Sequence, residues 1–198
     1  MNLLVATTNP HKVREIRPLL ADCGVTVQTL DDLPPIVEPD ESAATYWENA
    51  REKALAYGRA TDWMVVAEDS GLEITALDRA PGVRSARFLG HGASYSERFA
   101  EIYRRLATHP PAHRHARFVT ALAAVRGGTI LFETEAWIDG EVAMAPTGDR
   151  GFGYDPIFLY PPLRRTTGEL TLEEKGGVSH RARAFRDFAG WLKQFEHR

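Results

Sequence analysis

Three strand-like segments in the middle of the chain follow one another with only glycine-containing turns between them. The segments RFVTALAAV, TILFETEAWI and EVAMAP are separated by RGG and DG, which are typical residues of tight hairpin turns. Strands joined this closely pair antiparallel, because a parallel connection needs about a dozen residues or more. The pattern therefore predicts an antiparallel meander, which constrains the fold more than any other feature.

The first part of the chain alternates strands with helices instead. Residues 2–7 predict a buried strand, residues 10–21 predict a helix, and the segment VTVQTL predicts a second strand. After a proline-rich loop, a helix is predicted over residues 43–60 with Ser42 as its N-cap. Parallel-capable strands combined with hairpins predict an α/β domain with a mixed β-sheet flanked by helices.

The remaining elements are predicted from apolar periodicity and from glycine. They are a helix over residues 94–107, a glycine-rich loop over 148–156, a strand over 157–160, a helical turn over 170–175 and a last helix from Ser179 to Phe195. No internal repeat or linker divides the chain, and a length of 198 residues suits a single domain over residues 1–198.

The composition excludes several classes of protein. Hydrophobic residues make up 43% and charged residues 26%, as in a globular protein. A formal net charge of −3 leaves no basic footprint for nucleic acid, and the lone Cys23 fits a reducing compartment. The N-terminus lacks a signal-peptide pattern, and the longest apolar run, FVTALAAV, is too short to span a membrane. We therefore expect a cytoplasmic protein that binds neither nucleic acid nor membranes.

Two carboxylates interrupt an otherwise apolar strand. The stretch VVAEDSGLEI, residues 65–74, carries Glu68 and Asp69 in its middle. Because an unpaired buried carboxylate is costly, the pair needs a cation, a base partner or exposure in a cleft. Together with a carboxylate from elsewhere, such as Glu48, it predicts a Mg²⁺ site. The alternative is that the strand ends at Ala67 and that EDSG forms a solvated turn.

Strand geometry separates the two carboxylates. Successive side chains of a regular strand point to opposite faces, so Glu68 and Asp69 cannot both face one ligand. We expect Asp69 to face the ligand as metal ligand and base. Glu68 then either joins the metal through a kink near Gly71 or supports a cationic side chain behind the strand.

Further polar clusters lie where other elements begin. TTNPHK, residues 7–12, joins a strand to a helix, where backbone N–H groups and the helix dipole favour a phosphate. Phe152 and Tyr154 stand between glycines and can stack on a planar base. His180 and Arg181 fall in a first helical turn, where the dipole disfavours cations unless a ligand with hydrogen-bond acceptors binds there. Each cluster also has a plain alternative as a capping or solvated segment.

The predicted helix over residues 43–60 has an apolar face, and three polar residues lie off it. These are Glu48, Asn49 and Lys53, which predict either a solvated face or part of a site. Three histidines in THPPAHRHAR favour a surface loop over a zinc site, because prolines break the segment and no cysteine joins it.

Taken together, six motifs resemble one known family. TTNPHKVREI, ENAREKA, AEDSGLEI, APGVRSARF, GFGYDPIF and ELTLEEKGGVSHRARAF occur in the order found in the inosine triphosphate pyrophosphatase family. The resemblance implies Mg²⁺-dependent hydrolysis of ITP, dITP and XTP to the monophosphate and pyrophosphate. It also implies a homodimer and an elongated mixed sheet flanked by helices, with two lobes and the active-site cleft between them.

The resemblance also implies roles for individual residues. The metal ligands are Glu48 and Asp69, and Asp69 is also the catalytic base. The phosphate-binding residues are Thr7, Thr8, Asn9, Pro10, His11, Lys12 and Lys53. The remaining substrate contacts are Ser70, Phe152, Gly153, Tyr154, Asp155, Lys175, His180 and Arg181. Among the base contacts, Arg181 can donate to the 6-keto oxygen of hypoxanthine or xanthine but cannot accept from the amino group of adenine.

Two positions depart from the family pattern in the phosphate and carboxylate motifs. Thr8 stands where the family commonly has glycine, and Glu68 where many members have aspartate. Neither departure removes a group that the reaction needs. The alternatives are a Maf-type pyrophosphatase, which prefers other modified nucleotides, and a nucleotide-binding sensor without catalysis.

Overall fold

The computed structural model describes residues 1–110 and 112–195. The strands are β1 Asn2–Val5, β2 Thr26–Gln28, β3 Met64–Ile74, β4 His115–Arg126, β5 Thr129–Val142, β6 Phe158–Tyr160 and β7 Arg165–Thr166. The helices are α1 Pro10–Leu19, α2 Tyr46–Gly58, α3 Tyr95–Leu106, α4 Leu172–Val178 and α5 His180–Phe195. The predicted order of strands and helices is therefore largely confirmed.

The strands form one mixed sheet in the order β2-β1-β3-β4-β5-β6-β7. Strand β1 is parallel to both of its neighbours, with Leu3 opposite Val27 and Leu4 opposite Val65. Strands β5, β6 and β7 pair antiparallel, with Val142 opposite Phe158. The predicted α/β class with a mixed sheet and flanking helices is confirmed. The parallel part follows the helical connections, and the antiparallel part follows the shorter ones.

The chain divides into two compact units, each with its own core. The first unit contains residues 1–69, 120–136 and the described chain from residue 180, and its buried core includes Leu3, Ile16, Met64, Leu122 and Phe188. The second contains residues 70–119 and 137–179, and its core includes Leu72, Phe99, Ile138, Ile157 and Phe158. Two compact units agree with the expectation of two lobes. The expectations of a single domain and of a cleft stay predictions.

One of the two predicted hairpin turns is wrong. The turn at Gly127 and Gly128 is present, with both glycines at positive φ. Asp139 and Gly140 instead lie inside β5, which runs unbroken from Thr129 to Val142. A Cβ on Gly140 would lie 2.5 Å from the carbonyl oxygen of Leu159 and 2.6 Å from the ring of Phe158. Glycine is therefore placed there for the close approach of β6 and not for a turn.

The start of α2 also differs from the prediction. Thr45, and not Ser42, is the N-cap, and its side chain accepts a hydrogen bond from the backbone N–H of Glu48. In turn, the carboxylate of Glu48 accepts a hydrogen bond from the backbone N–H of Thr45 at 3.2 Å. This capping box satisfies N–H groups that would otherwise have no partner in the helix. Among the described residues, no helix is long and apolar enough to cross a membrane.

The tight contact at Gly140 is testable by substitution. We expect Gly140→Ala to lower the free energy of unfolding by about 3 kcal/mol, because the added methyl group would displace backbone of β6. Gly190→Ala is the matched control, since a Cβ there meets no atom within 4 Å and the residue lies inside α5. The control should raise the free energy of unfolding by about 1 kcal/mol, because alanine has a higher helix propensity than glycine. Urea unfolding of both variants measures the difference, and equal effects would contradict the assignment of Gly140.

Candidate active site

Strand β3 buries both of its carboxylates. Glu68 is 3% exposed and Asp69 is 6% exposed, and the strand continues through them to Ile74. The alternative in which the strand ends at Ala67 and EDSG is solvated is therefore wrong. Because adjacent side chains point to opposite faces, the two carboxylates have separate surroundings within the first compact unit.

Glu68 lies among cations. Its Oε1 atom is 3.1 Å from Nζ of Lys12 and accepts from Nε of Arg181 at 2.9 Å. Its Oε2 atom accepts from the hydroxyl of Thr120 at 2.6 Å. Burial alone would raise the pKa of this carboxyl, but Arg181, Lys12 and the hydrogen bond from Thr120 hold the pKa well below its usual range. Glu68 thus supports cationic side chains, which is one of the two roles expected from the sequence.

Arg181 is almost completely buried at the start of α5, with 2% of its surface exposed. Besides Glu68, it contacts Glu15 on α1, whose Oε2 atom accepts from Nη1 at 2.6 Å. Burial opposes the charged form, but the two carboxylates outweigh it and raise the pKa of the guanidinium. Two donors of Arg181 are therefore bound by carboxylates, and its contact with a base stays a prediction.

Asp69 has a different environment. Its Oδ2 atom accepts from Nδ2 of Asn49 at 2.9 Å, and the backbone N–H of Ala43 fixes this amide by donating to Oδ1 of Asn49 at 3.1 Å. Burial raises the pKa of Asp69, and the positive charges of Lys53 and Lys12 offset only part of this rise. Functional sites often contain a buried carboxylate whose pKa stays raised because nearby positive charges offset only part of the effect of burial.

Lys53 belongs to the same site, and its predicted position off the buried face of α2 is wrong. Lys53 and Asn49 are 7% and 1% exposed, so the helix directs both inward. Nζ of Lys53 donates to the carbonyl oxygen of Glu68 at 3.1 Å and forms an ion pair with Glu41. Glu41 comes from the irregular segment before α2, and its negative charge contributes to raising the pKa of Asp69, after burial as the main cause.

The predicted phosphate loop forms the turn before α1. The side chain of Asn9 caps the helix by accepting from the backbone N–H groups of His11 and Lys12, at 2.9 and 3.4 Å. The hydroxyl of Thr7 accepts from the backbone N–H of Asn9 at 3.2 Å. The hydroxyl of Thr8 donates to Glu38 at 3.1 Å, so the residue that replaces the family glycine bonds to the segment that also supplies Glu41.

Glu48 is exposed and engaged at the N-terminus of α2. One carboxylate oxygen accepts from both the backbone N–H and the hydroxyl of Thr45. This cap explains a glutamate at that position without a metal. Its role as a metal ligand stays a prediction, and Glu41 is the acidic residue that the structure pairs with Lys53.

The second compact unit contains the glycine-rich loop and α4, joined through Asp155. This carboxylate is 2% exposed and accepts from the backbone N–H of Phe152 at 2.7 Å, Nζ of Lys175 at 2.5 Å and the hydroxyl of Thr167 at 2.8 Å. Gly151 has a φ of +74°, and a Cβ there would lie 2.1 Å from Asp155 Oδ2. Asp155 therefore holds the loop in shape, and glycine is required beside it.

The two aromatic residues of the loop differ in accessibility. Nζ of Lys175 lies 5.0 Å from the ring centroid of Phe152, which is half-buried. Tyr154 is buried, and its hydroxyl donates to the carbonyl oxygen of Ser85 at 2.9 Å. Burial is the main cause that raises the pKa of this phenol. Phe152 is thus the better candidate for stacking on a base.

A family model described as the Ham1 family matches residues 3–191. The chain belongs to the Ham1 family. A relative from an Exiguobacterium species, named dITP/XTP pyrophosphatase, is 41% identical over 186 residues, or 94% of each chain. The family assignment made from the six sequence motifs is therefore confirmed.

Solved structures agree with the fold of this Ham1 chain. A HAM1 protein from Coxiella burnetii is 33% identical and matches with a TM-score of 0.88, over 98% of this chain and 99% of that one. A nucleoside-triphosphatase / dITP/XTP pyrophosphatase from Mycobacterium abscessus is 40% identical, with a TM-score of 0.75 over 95% and 98% of the two chains. The α/β class with a mixed sheet is that of solved Ham1 proteins.

The predicted site residues of this Ham1 chain are divided between the two compact units. The first unit holds Thr7, Thr8, Asn9, Pro10, His11, Lys12, Glu48, Lys53, Asp69, His180 and Arg181. The second holds Ser70, Phe152, Gly153, Tyr154, Asp155 and Lys175. The sequence prediction of site residues did not include Glu15, Glu38, Glu41 and Thr120, and it left Asn49 open between a solvated face and part of a site. Thr120 had a signal, because it is the one polar residue in FVTALAAV, whereas Glu38 and Glu41 lie in a loop without periodicity.

The charge of Glu68 should dominate stability in the first unit. We expect Glu68→Gln to lose about 3–5 kcal/mol of unfolding free energy at pH 7, because buried cations lose their counter-charge. The folded-state pKa of Glu68 is lowered, so its contribution is present above the ordinary glutamate pKa and is lost as the pH falls below it. Urea unfolding should therefore show the difference from wild type starting to shrink below about pH 5 and continuing to shrink as the pH falls further towards the low folded-state pKa. A difference that does not depend on pH would contradict this role.

Proposed function

We propose that this Ham1 protein hydrolyses non-standard purine nucleoside triphosphates, namely ITP, dITP and XTP, to the monophosphate and pyrophosphate with Mg²⁺. Asp69 carries the proposal, because this buried carboxylate has a raised pKa and lies within the electrostatic influence of two lysines. The names of the Exiguobacterium and Mycobacterium abscessus relatives support the same reaction. Such an activity keeps deaminated purines out of DNA and RNA.

Asp69 suits the role of base for the attacking water. Hydrolysis at the α-phosphorus needs a proton acceptor and positive charge for the phosphate oxygens. Asp69 is a buried carboxylate that can accept the proton, and Asn49 holds one of its oxygens in place. Lys12 and Lys53 supply positive charge on the phosphate side, and the leaving group is pyrophosphate.

The residues around Asp69 fit a Mg²⁺ ion that is bound partly by the substrate. Among the described residues there is no group of three or more His, Cys, Asp or Glu side chains that could hold a metal. Mg²⁺ commonly uses one or two carboxylates together with substrate phosphates and water. Asp69 and Glu41 can supply two carboxylates, and an added cation would compensate the burial of Asp69. When bound, the metal neutralises charge on the phosphates.

Base selection is proposed for the second group of residues and for the start of α5. Phe152 can stack on the purine, while Asp155 fixes the backbone that carries it. His180 and Arg181 supply donors at the start of α5, and a 6-keto oxygen can accept from them. A 6-amino group cannot accept, so adenine would leave a buried donor unsatisfied. Lys175 belongs with Phe152, because it contacts both Asp155 and the ring of Phe152.

Two properties beyond the reaction belong to the same proposal. We expect a homodimer, as the family resemblance implies, with the nucleotide as the only ligand besides the metal. We also place the protein in the cytoplasm, because nucleotides must be hydrolysed before a polymerase uses them.

A panel of nucleotides tests the function. With Mg²⁺ we expect rapid pyrophosphate release from ITP, dITP and XTP and about 100-fold lower kcat/KM with ATP, which corresponds to the cost of leaving one buried donor unsatisfied. Chelation of the metal should abolish release. As a control, Asp69→Asn should still bind ITP but release no pyrophosphate. A preference for pyrimidine nucleotides would favour the Maf-type alternative, and binding without turnover in wild type would favour a sensor.

The second metal carboxylate can be identified with two matched variants. If Glu41 binds the metal, Glu41→Gln should raise the Mg²⁺ concentration needed for half-maximal activity by about tenfold or more, as loss of a charged ligand implies. Glu48→Gln should instead lower the thermal stability through the weakened cap and leave the Mg²⁺ dependence unchanged. The reverse pattern would restore Glu48 as the metal ligand.

A further inference from the structure

We propose that Glu68 and Thr120 are positioning residues that hold Lys12 and Arg181 in one arrangement, so that one buried network governs both the phosphate end and the base end of the substrate. The inference rests on the proposed function, which gives Lys12 and Arg181 their substrate roles. Neither Glu68 nor Thr120 needs to touch the nucleotide for this effect.

A single oxygen atom joins the two cations. Oε1 of Glu68 is 3.1 Å from Nζ of Lys12 and 2.9 Å from Nε of Arg181. Lys12 lies on α1 and Arg181 on α5, so the carboxylate connects the phosphate loop to the helix that carries the base contacts. Any rotation of this carboxylate changes both distances together.

Thr120 fixes that rotation from the other side. Its hydroxyl donates to Oε2 of Glu68 at 2.6 Å and lies 3.3 Å from the carbonyl oxygen of Asp69. Thr120 is completely buried on β4 in a run of apolar residues, where valine would fill the same space. A hydroxyl at this place is explained by the carboxylate that it orients, because a buried polar group is costly unless it is hydrogen-bonded.

A second ion pair closes the network. Nη1 of Arg181 donates to Glu15 at 2.6 Å, and Glu15 lies on α1 three residues after Lys12. Residues three apart on a helix are neighbours. Helix α1 therefore places Lys12 against Glu68 and Glu15 against Arg181. A shift of Glu68 is therefore transmitted to both ends of the site through charged groups that have little freedom to move.

The decisive test is Thr120→Val, which removes one hydroxyl at nearly constant volume. Binding is measured by calorimetry with two half-ligands, inorganic pyrophosphate for the phosphate end and inosine monophosphate for the base end. We expect the Kd of each to rise about tenfold, the loss that one hydrogen bond to a charged group produces. With ITP, KM should rise about tenfold and kcat should change little, since the substitution leaves the carboxylate of Asp69 and its hydrogen bond from Asn49 in place.

Two conservative variants separate positioning from packing. Thr120→Ser keeps the hydroxyl and should restore binding of both half-ligands to near wild-type values. Glu68→Asp keeps the charge but shortens the side chain by one methylene, and should weaken both half-ligands as Thr120→Val does. Thr134→Val is the matched control, because Thr134 also donates to a carboxylate, that of Asp187 at 3.4 Å, on the exposed surface.

The outcomes separate this inference from the proposed function. Unchanged binding in Thr120→Val, weakening of only one half-ligand, or a Thr120→Ser variant as defective as Thr120→Val would each overturn the positioning role. Failure of wild type to release pyrophosphate from ITP would instead refute the function, while the half-ligand measurements still decide the coupling. A wild-type protein that binds neither half-ligand would overturn both.

Discussion

The ion pair between Glu68 and Arg181 imposes the strictest condition on the first compact unit. Both side chains are almost completely buried, and removing such charges from water costs several kcal/mol per ion unless partners surround them. The partners come from α1, β3, β4 and α5, which must therefore meet with an accuracy set by hydrogen-bond lengths. Apolar packing alone tolerates larger shifts, so the charged cluster specifies the arrangement that the hydrophobic core stabilises.

The neighbouring carboxylate of Asp69 has the opposite electrostatic character. The pKa of Glu68 is lowered by its cations, whereas burial raises the pKa of Asp69. Strand geometry makes this possible, because two successive residues face different surroundings. One carboxylate thus stays ionised as part of the structure, and the other is the one that we propose as the base. This division of roles between adjacent acids is the kind of difference that identifies an acid or base in an active site.

Much of the fold and part of the site could be predicted from local patterns. Apolar periodicity located the helices and most strands, and the ordered motifs located Lys12, Asp69 and Arg181. The errors come from contacts between residues distant in sequence. Gly140 was predicted as a turn residue, but it lies inside β5 where the backbone of β6 approaches closely. Glu41 was missed because only the folded chain pairs it with Lys53.

Thr120 illustrates the same limit from the other direction. Thr120 is the one polar residue in FVTALAAV, but threonine is common in strands and the sequence does not show which partner its hydroxyl has. Its importance depends on Glu68, which lies 52 residues earlier in the chain. Composition and periodicity do not indicate the hydrogen bond between Thr120 and Glu68, which is seen only in the folded chain.

The close approach at Gly140 has a practical consequence for anyone who labels this protein. Asp139 and Gly140 look like the tip of a hairpin, the usual choice for inserting an epitope tag or a fluorescent reporter. An insertion there would cut a strand of 14 residues and separate it from β6. Gly127 and Gly128 are exposed and do form a turn. Residues inserted between them would not interrupt a strand of the sheet.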